Sequence, residues 1–307
     1  ASVDRCFTQG MASVFLAAVP AVKHNGVTMS ISASMVKDLR EKTGAGMMDC
    51  KKALEECGGE LEKAVDWLRQ KGLSKAAKRA DRATSEGLIG SCVKDGGKLA
   101  VLVEVKCETD FVARGDKFKE FVKTVAERIA DRNPASLDDD ALNLRDQLNE
   151  TISATGENIT LGRFVRMQAE SGIVGSYVHA NGKIAALVEV KSEAPADQLQ
   201  DFAKNVAMQI AAASPLALDM DCLDPALVER EREVYRQKAR EEGKPENIIE
   251  KIAEGAVKKY AKDVCLLDQP YIRDDKMSIR DLMQQTAKTA GSPVVLARFV
   301  RMQLGAE

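Results

Sequence analysis

The chain reads as an α+β protein: a bundle of three short helices, then two copies of one antiparallel α+β unit, the second carrying an inserted antiparallel helical hairpin. Three observations predict this. Apolar residues recur at helical spacing between positions 34 and 72 and are interrupted by glycine pairs. The stretch Ile89–Lys106 returns as Val174–Lys191 at a constant offset (175 − 90 = 85). A charge-dense segment, Pro225–Lys262, carries a sparse apolar stripe on each side of Gly243-Lys244-Pro245.

Composition sets the outer limits. The 307 residues, 45% hydrophobic and 30% charged, are enough for two or more domains with buried cores. A formal charge of −2, with one Trp and four Tyr, argues against a general nucleic-acid binder, because no basic stripe is interleaved with stacking aromatics. The seven cysteines are an odd number with no C-x-x-C pair, so neither a disulfide framework nor a zinc site is indicated, and a reducing compartment is the simpler inference. No apolar run approaches the roughly 20 residues that span a bilayer, so no membrane partner is expected.

Residues 1–29 stand apart, with Asp4 as their one acidic residue and no period that continues downstream. They read either as a transit-peptide remnant or as an upstream extension of a frame starting at Met29, and are expected to be loosely ordered. The bundle occupies 30–73. Its first helix runs from Ser34 to about Thr43, and Gly44-Ala45-Gly46 breaks it. The second carries Met47, Cys50, Leu54 and Cys57 on one face and stops at Gly58-Gly59. The third, from Glu60, has Leu61, Ala64, Val65 and Leu68 in register and is expected to end at Gly72. Met47 and Met48 lie roughly 100° apart around their helix, so one of the two is expected to face outward. Residues 74–86 are polar, small and locally basic, which reads as a solvated spacer in preference to a phosphate-binding patch.

The first repeat unit spans 87–170 and the second 171–307. In each, Asp95-Gly96-Gly97 or Ala180-Asn181-Gly182 turns one strand into the next, and a helix follows, 118–130 or 199–213. Both units close on nearly the same strand, Gly162-Arg163-Phe164-Val165-Arg166-Met167-Gln168 and Ala297-Arg298-Phe299-Val300-Arg301-Met302-Gln303. Each unit is therefore one helical layer on a three-stranded antiparallel sheet. The insertion at 225–262 has Val228, Tyr235 and Ala239 on one arm. Ile249, Ile252, Ala253, Ala256 and Tyr260 follow on the other at coiled-coil-like spacing. It either projects as a hairpin or lies flat on the sheet as an extra layer.

The units differ where the second strand ends. The first has Thr109-Asp110-Phe111-Val112, and the second has Ala194-Pro195-Ala196-Asp197. Two readings of the first are open. Phe111 folds back into the core while Asp110 caps a helix beginning near Lys117, or the ring and the carboxylate face outward as a probe for a partner. A feature required by the fold alone would survive in both copies, which makes this loop the better candidate for a specific task. Catalytic groupings are not evident: the two histidines, His24 and His179, form no triad or His-based metal site, and no Gly-Lys pair has the spacing of a phosphate loop. The chain reads as one that binds and does no chemistry of its own. A ubiquitin-type adaptor using only the bundle, and an enzyme with an unrecognised carboxylate site, are the alternatives from other classes.

Thr43-Gly44-Ala45-Gly46-Met47-Met48-Asp49-Cys50-Lys51-Lys52-Ala53-Leu54, followed by Cys107-Glu108-Thr109-Asp110-Phe111-Val112-Ala113, is similar to the two signature segments of the elongation factor Ts family. The resemblance runs from about residue 30 to the last residue. It implies a ubiquitin-associated-like bundle, a two-part α+β core and a coiled-coil hairpin. It also implies a guanine nucleotide exchange factor, not an enzyme, that needs no cofactor. Such a factor binds elongation factor Tu in its GDP-bound and nucleotide-free forms and displaces Mg²⁺ to release GDP. On this resemblance Phe111 is the wedge, Asp110 fixes the loop, and Thr109 and Val112 complete it. Met47, Met48, Asp49, Cys50 and Lys51 grip the partner from the bundle, and Gly156 and His179 add contacts. The residue before Gly156 is commonly apolar in the family and is Thr155 here. A bacterial cytoplasm follows, or an organelle matrix or stroma if residues 1–28 are a transit remnant. Self-association through the repeat or the hairpin is left open.

Overall fold

The computed structural model describes residues 31–77 and 79–306; the segment read as a leader, with Cys6 and His24, lies outside the described residues. Three helices come first: α1 (Ala33–Thr43), α2 (Met47–Glu56) and α3 (Leu61–Ala77). Ser32 caps α1 by accepting from the Met35 N–H, and Gly44 ends it in the left-handed region at φ 64°, where a side chain would be strained. Leu39, Cys50, Ala53, Leu54 and Ala64 close a small core, with Trp67 and Leu68 packed against it.

The third helix departs from the sequence reading, because it continues through Gly72 to Ala77. Gly72 is a packing residue. A Cβ there would lie 2.7 Å from the Ser153 Oγ, so the missing side chain lets α3 cross α6 (Arg145–Thr155) closely. Part of the segment read as a solvated spacer is hydrogen-bonded to the first unit. Asn158 Nδ2 donates to the carbonyls of Ala80 (3.2 Å) and Arg82 (2.8 Å), and the hydroxyls of Thr84 and Thr160 meet at 2.8 Å.

Two three-stranded antiparallel sheets follow. In the first, β2 (Leu99–Cys107) lies between β1 (Glu86–Lys94) and β3 (Ile159–Gln168). In the second, β5 (Ile184–Lys191) lies between β4 (Ile173–Val178) and β8 (Val295–Gln303). Central strands buried on both faces read as continuous apolar runs, which is the character of Leu99–Val103 and Ala185–Val188. Alternation assigns the faces. Val101, Val103 and Val105 point to α5 (Asp116–Arg132), and Val188 and Val190 point to α7 (Ala196–Ala213). Ala100, Leu102, Ala185 and Leu187 point the other way and form a third core with Ile89, Met167, Val174 and Met302. The sheets thus pack back to back, an arrangement that the repeat alone does not reveal.

The repeat is spatial as well as sequential. Ser91 and Ser176, equivalent residues 85 apart, meet at 3.0 Å between their hydroxyls, so an approximate two-fold axis passes between them. Reciprocal contacts surround it: Arg163 donates to the Gln303 carbonyl, and its equivalent Arg298 donates to the Gln168 carbonyl. Gly90 and Gly175 bring each helix onto its sheet, since a Cβ at Gly175 would stand 2.5 Å from the Ala203 carbonyl oxygen.

The insertion forms α8 (Pro225–Glu241) and α9 (Glu246–Val264), two antiparallel helices that pack on each other. Their buried stripe differs from the expected one: Ile249, Ala253, Val257 and Ala261 face inward at four-residue spacing, while Ile252 is exposed. Ion pairs set the register, with Arg236 bonded to both oxygens of Glu250 at 2.8 and 2.9 Å and Arg240 to Glu246 at 3.2 Å. A short hairpin, β6 (Pro270–Tyr271) and β7 (Asp274–Ser278), and α10 (Ile279–Ala290) complete the second unit. The helices α6 and α10 are equivalents that the sequence reading did not anticipate.

Candidate functional site

At the end of β2 the chain leaves the sheet at Cys107, whose thiol is buried and donates to the Thr109 carbonyl at 3.2 Å. Burial first, then the negative charge of Glu157, pushes this thiol up to about 11. Thr109 is extended and acts as N-cap of a single helical turn, α4 (Asp110–Arg114), its hydroxyl accepting from the Val112 N–H at 3.4 Å. Ala113 is buried and Val112 is packed on the first core, so the turn is anchored from behind. The opposite side carries Phe111, which is 85% exposed.

This excludes the first of the two readings of the loop. Phe111 does not return to the core, and Asp110 does not cap the following helix: α5 starts at Asp116 with Gly115 as its uncapped N-terminus. Asp110 instead pairs with Arg114 at 2.9 Å, an exposed contact of small energetic value. Further polar contacts that hold the loop come from Thr109 and from a residue that sequence reasoning missed. Glu157 accepts from the Thr109 hydroxyl at 2.6 Å and from the Thr109 N–H at 3.0 Å, holding the loop with both carboxylate oxygens. Next to it, the Asn158 N–H donates to Glu108 at 2.6 Å, and Arg82 pairs with the same carboxylate at 3.4 Å.

The turn that supplies Glu157 begins at Gly156, which ends α6 at φ 80° with open space where a Cβ would stand. Gly156 is therefore brought beside the Thr109–Val112 turn through its neighbours. His179 lies on the β4–β5 turn at the same end of the first sheet: Gly182 of that turn abuts Leu88, and Lys183 pairs at 2.6 Å with Glu86, the residue directly opposite Cys107 in the β1–β2 register. Its ring is exposed and its Nδ1 lies 3.3 Å from the Tyr177 hydroxyl.

The bundle reaches the same neighbourhood from the other side. Lys117, at the start of α5, donates to the Gly44 carbonyl at 3.5 Å, and Arg69 forms an ion pair with Asp146 of α6. Where one exposed methionine was expected, both Met47 (57%) and Met48 (77%) are open, since they occupy the first turn of α2, beyond the reach of the bundle core. Asp49 is half-buried and Lys51 is exposed with Glu55 at 3.8 Å. Cys50, named with them, is fully buried in the bundle core beside Ala53 and Leu54, where it holds α2 in place.

The comparisons with known proteins agree on one family. The family model described as Elongation factor TS matches residues 108–306. Elongation factor Ts of Lawsonia intracellularis is 58% identical over 294 residues, covering 91% of this chain and 100% of that protein. Elongation factor Ts of Nitratidesulfovibrio vulgaris strain DP4 is 60% identical over 282 residues, covering 90% and 96%. The protein of the same name from Clostridium novyi is 44% identical over 284 residues, covering 90% and 93%. The anchored turn with its outward phenylalanine thus sits inside the matched region, and the chain belongs to the elongation factor Ts family, the nucleotide exchange factors of translation elongation.

Proposed function

We propose that this chain binds elongation factor Tu in its GDP-bound and nucleotide-free states and promotes GDP release by inserting the Thr109–Val112 turn beside the nucleotide site. The observation that carries the reading is Phe111, 85% exposed on a turn fixed from behind by Ala113, Val112 and the Thr109–Glu157 contact. A large apolar side chain held in water by its backbone is an anchor awaiting a pocket. Displacing the Mg²⁺ of the partner removes the largest local charge on the diphosphate, so a small wedge has a large effect.

In this reading Met47, Met48, Asp49 and Lys51, on a ubiquitin-associated-like module comprising residues 30–73, grip a helix of the partner. Gly156 and His179 add contacts at the end of the first sheet. The α8–α9 pair is a coiled coil, and the site of action is the bacterial cytoplasm. No group on this chain need change covalently. The factor must bind nucleotide-free partner more tightly than nucleotide-bound partner, and linkage then makes GDP weaken the complex by the same ratio. The test is to titrate the complex of this chain with nucleotide-free elongation factor Tu against GDP and Mg²⁺. Dissociation is expected, and a complex indifferent to nucleotide refutes the reading.

A further inference from the structure

We infer that Glu157 is the positioning residue of the exchange site, fixing the Thr109–Val112 turn in the shape that holds Phe111 out. The inference rests on the exchange reading proposed above. Its basis is geometry. The Phe111 ring is 85% exposed, so packing does little to fix the direction in which it points. Direction must come from the backbone, and Thr109 is where the backbone turns from strand to helix. Both hydrogens that Thr109 offers there, the amide and the hydroxyl, go to the two oxygens of Glu157 at 3.0 and 2.6 Å. Charge-assisted bonds of this kind are about twice as strong as neutral ones, and two on one residue fix orientation as well as distance.

The second repeat unit serves as an internal control. Gly291 ends α10 in the left-handed region at φ 64°, as Gly156 ends α6, so the supporting turn is retained. The chemistry on it is not. The residues matching Glu157 and Asn158 are Ser292 and Pro293, and the residue matching Thr109 is Ala194. The hydroxyl donor, the carboxylate acceptor and the adjacent N–H that braces Glu108 are absent together in the copy that lacks an outward phenylalanine, and the Ala194 N–H that remains donates to the Ser192 hydroxyl at 3.1 Å instead. The fold keeps the turn without them, which assigns the carboxylate to the task of the first copy.

The test uses the full chain with purified elongation factor Tu carrying a fluorescent GDP analogue, comparing wild type, Glu157→Ala, Glu157→Gln, Phe111→Ala and the Phe111→Ala/Glu157→Ala double variant. Glu157→Ala is expected to lower kcat about tenfold with KM nearly unchanged, because a loosened turn docks but seldom wedges. Glu157→Gln should recover most of the loss, its Oε1 accepting the Thr109 N–H and its Nε2 donating to the Thr109 hydroxyl. In the Phe111→Ala background, removing Glu157 should cost nothing further, since it acts through that ring. Amide hydrogen exchange at 110–112 in the free protein should quicken in Glu157→Ala while its Tm holds. Wild-type kinetics in Glu157→Ala, full additivity with Phe111→Ala, or unchanged amides overturns the inference. Failure of the exchange reading is distinguishable: wild type itself would not accelerate release, and the amides alone would then decide whether Glu157 holds the turn.

Discussion

Replacing Phe111 by alanine separates function from stability more sharply than other changes in the chain. The ring is 85% exposed in the free protein, so truncation removes almost no buried surface, and a surface change of this kind moves stability by no more than about 0.5 kcal/mol. In the complex nearly the whole ring is available for burial, and losing such an anchor costs about 2 kcal/mol, which is about a thirtyfold loss. Release of a fluorescent GDP analogue from elongation factor Tu, followed by stopped flow, reads this directly, with Tm from a thermal melt alongside. Phe118, fully buried beneath the same loop, supplies the contrast: Phe118→Ala should cost about 3–5 kcal/mol of stability. Unchanged exchange with Phe111→Ala refutes the wedge. A matching drop in Tm refutes the claim that the ring is free of the fold.

Gly175→Ala should destabilise the fold by about 1–3 kcal/mol in denaturant titration, because its Cβ would meet the α7 backbone at 2.5 Å. Gly90→Ala should cost somewhat less, since its nearest backbone atom, the Val122 carbonyl oxygen, stands at 3.0 Å, although a Val122 methyl at 2.6 Å must also give way. Native thiol titration should label exposed Cys222, while buried Cys107 and Cys265, both pushed up to about 11 chiefly by burial, and Cys50 react only on unfolding. The Arg236 guanidinium lowers the Glu250 carboxyl below its ordinary 4.5, so this pair supports the hairpin at neutral pH and its support is lost as pH falls below that value. Proteolysis at the Gly243 turn should accordingly rise on acidification or in high salt, and less so in Arg236→Ala, which has already lost the pair.

Legibility followed the range of the interactions. The repeated strands were legible because alternation and turn chemistry are local, and each unit formed the three-stranded antiparallel sheet that the repeat implied. Phe111 stood out because the second copy lacks it, a comparison that needs no structure. Glu157 was invisible because its meaning depends on Thr109, 48 residues earlier, and a carboxylate in a Gly-Glu-Asn turn carries no local mark of that contact. The back-to-back sheets were hidden for a similar reason: Leu102 and Leu187 read as core residues whichever layer covers them. Some misses did have local signals. The capping box of α10, Ser278 with Asp281, marks a helix start, and Leu144, Leu148, Thr151 and Ile152 give α6 its helical period. Gly72 misled because glycine serves close crossings as well as helix ends.

Acceleration of GDP release from purified elongation factor Tu by a catalytic amount of the wild-type chain tests the central claim most directly. Release should quicken in proportion to added factor and slow again as free Mg²⁺ is raised. A folded chain that leaves the release rate unchanged at every concentration contradicts it.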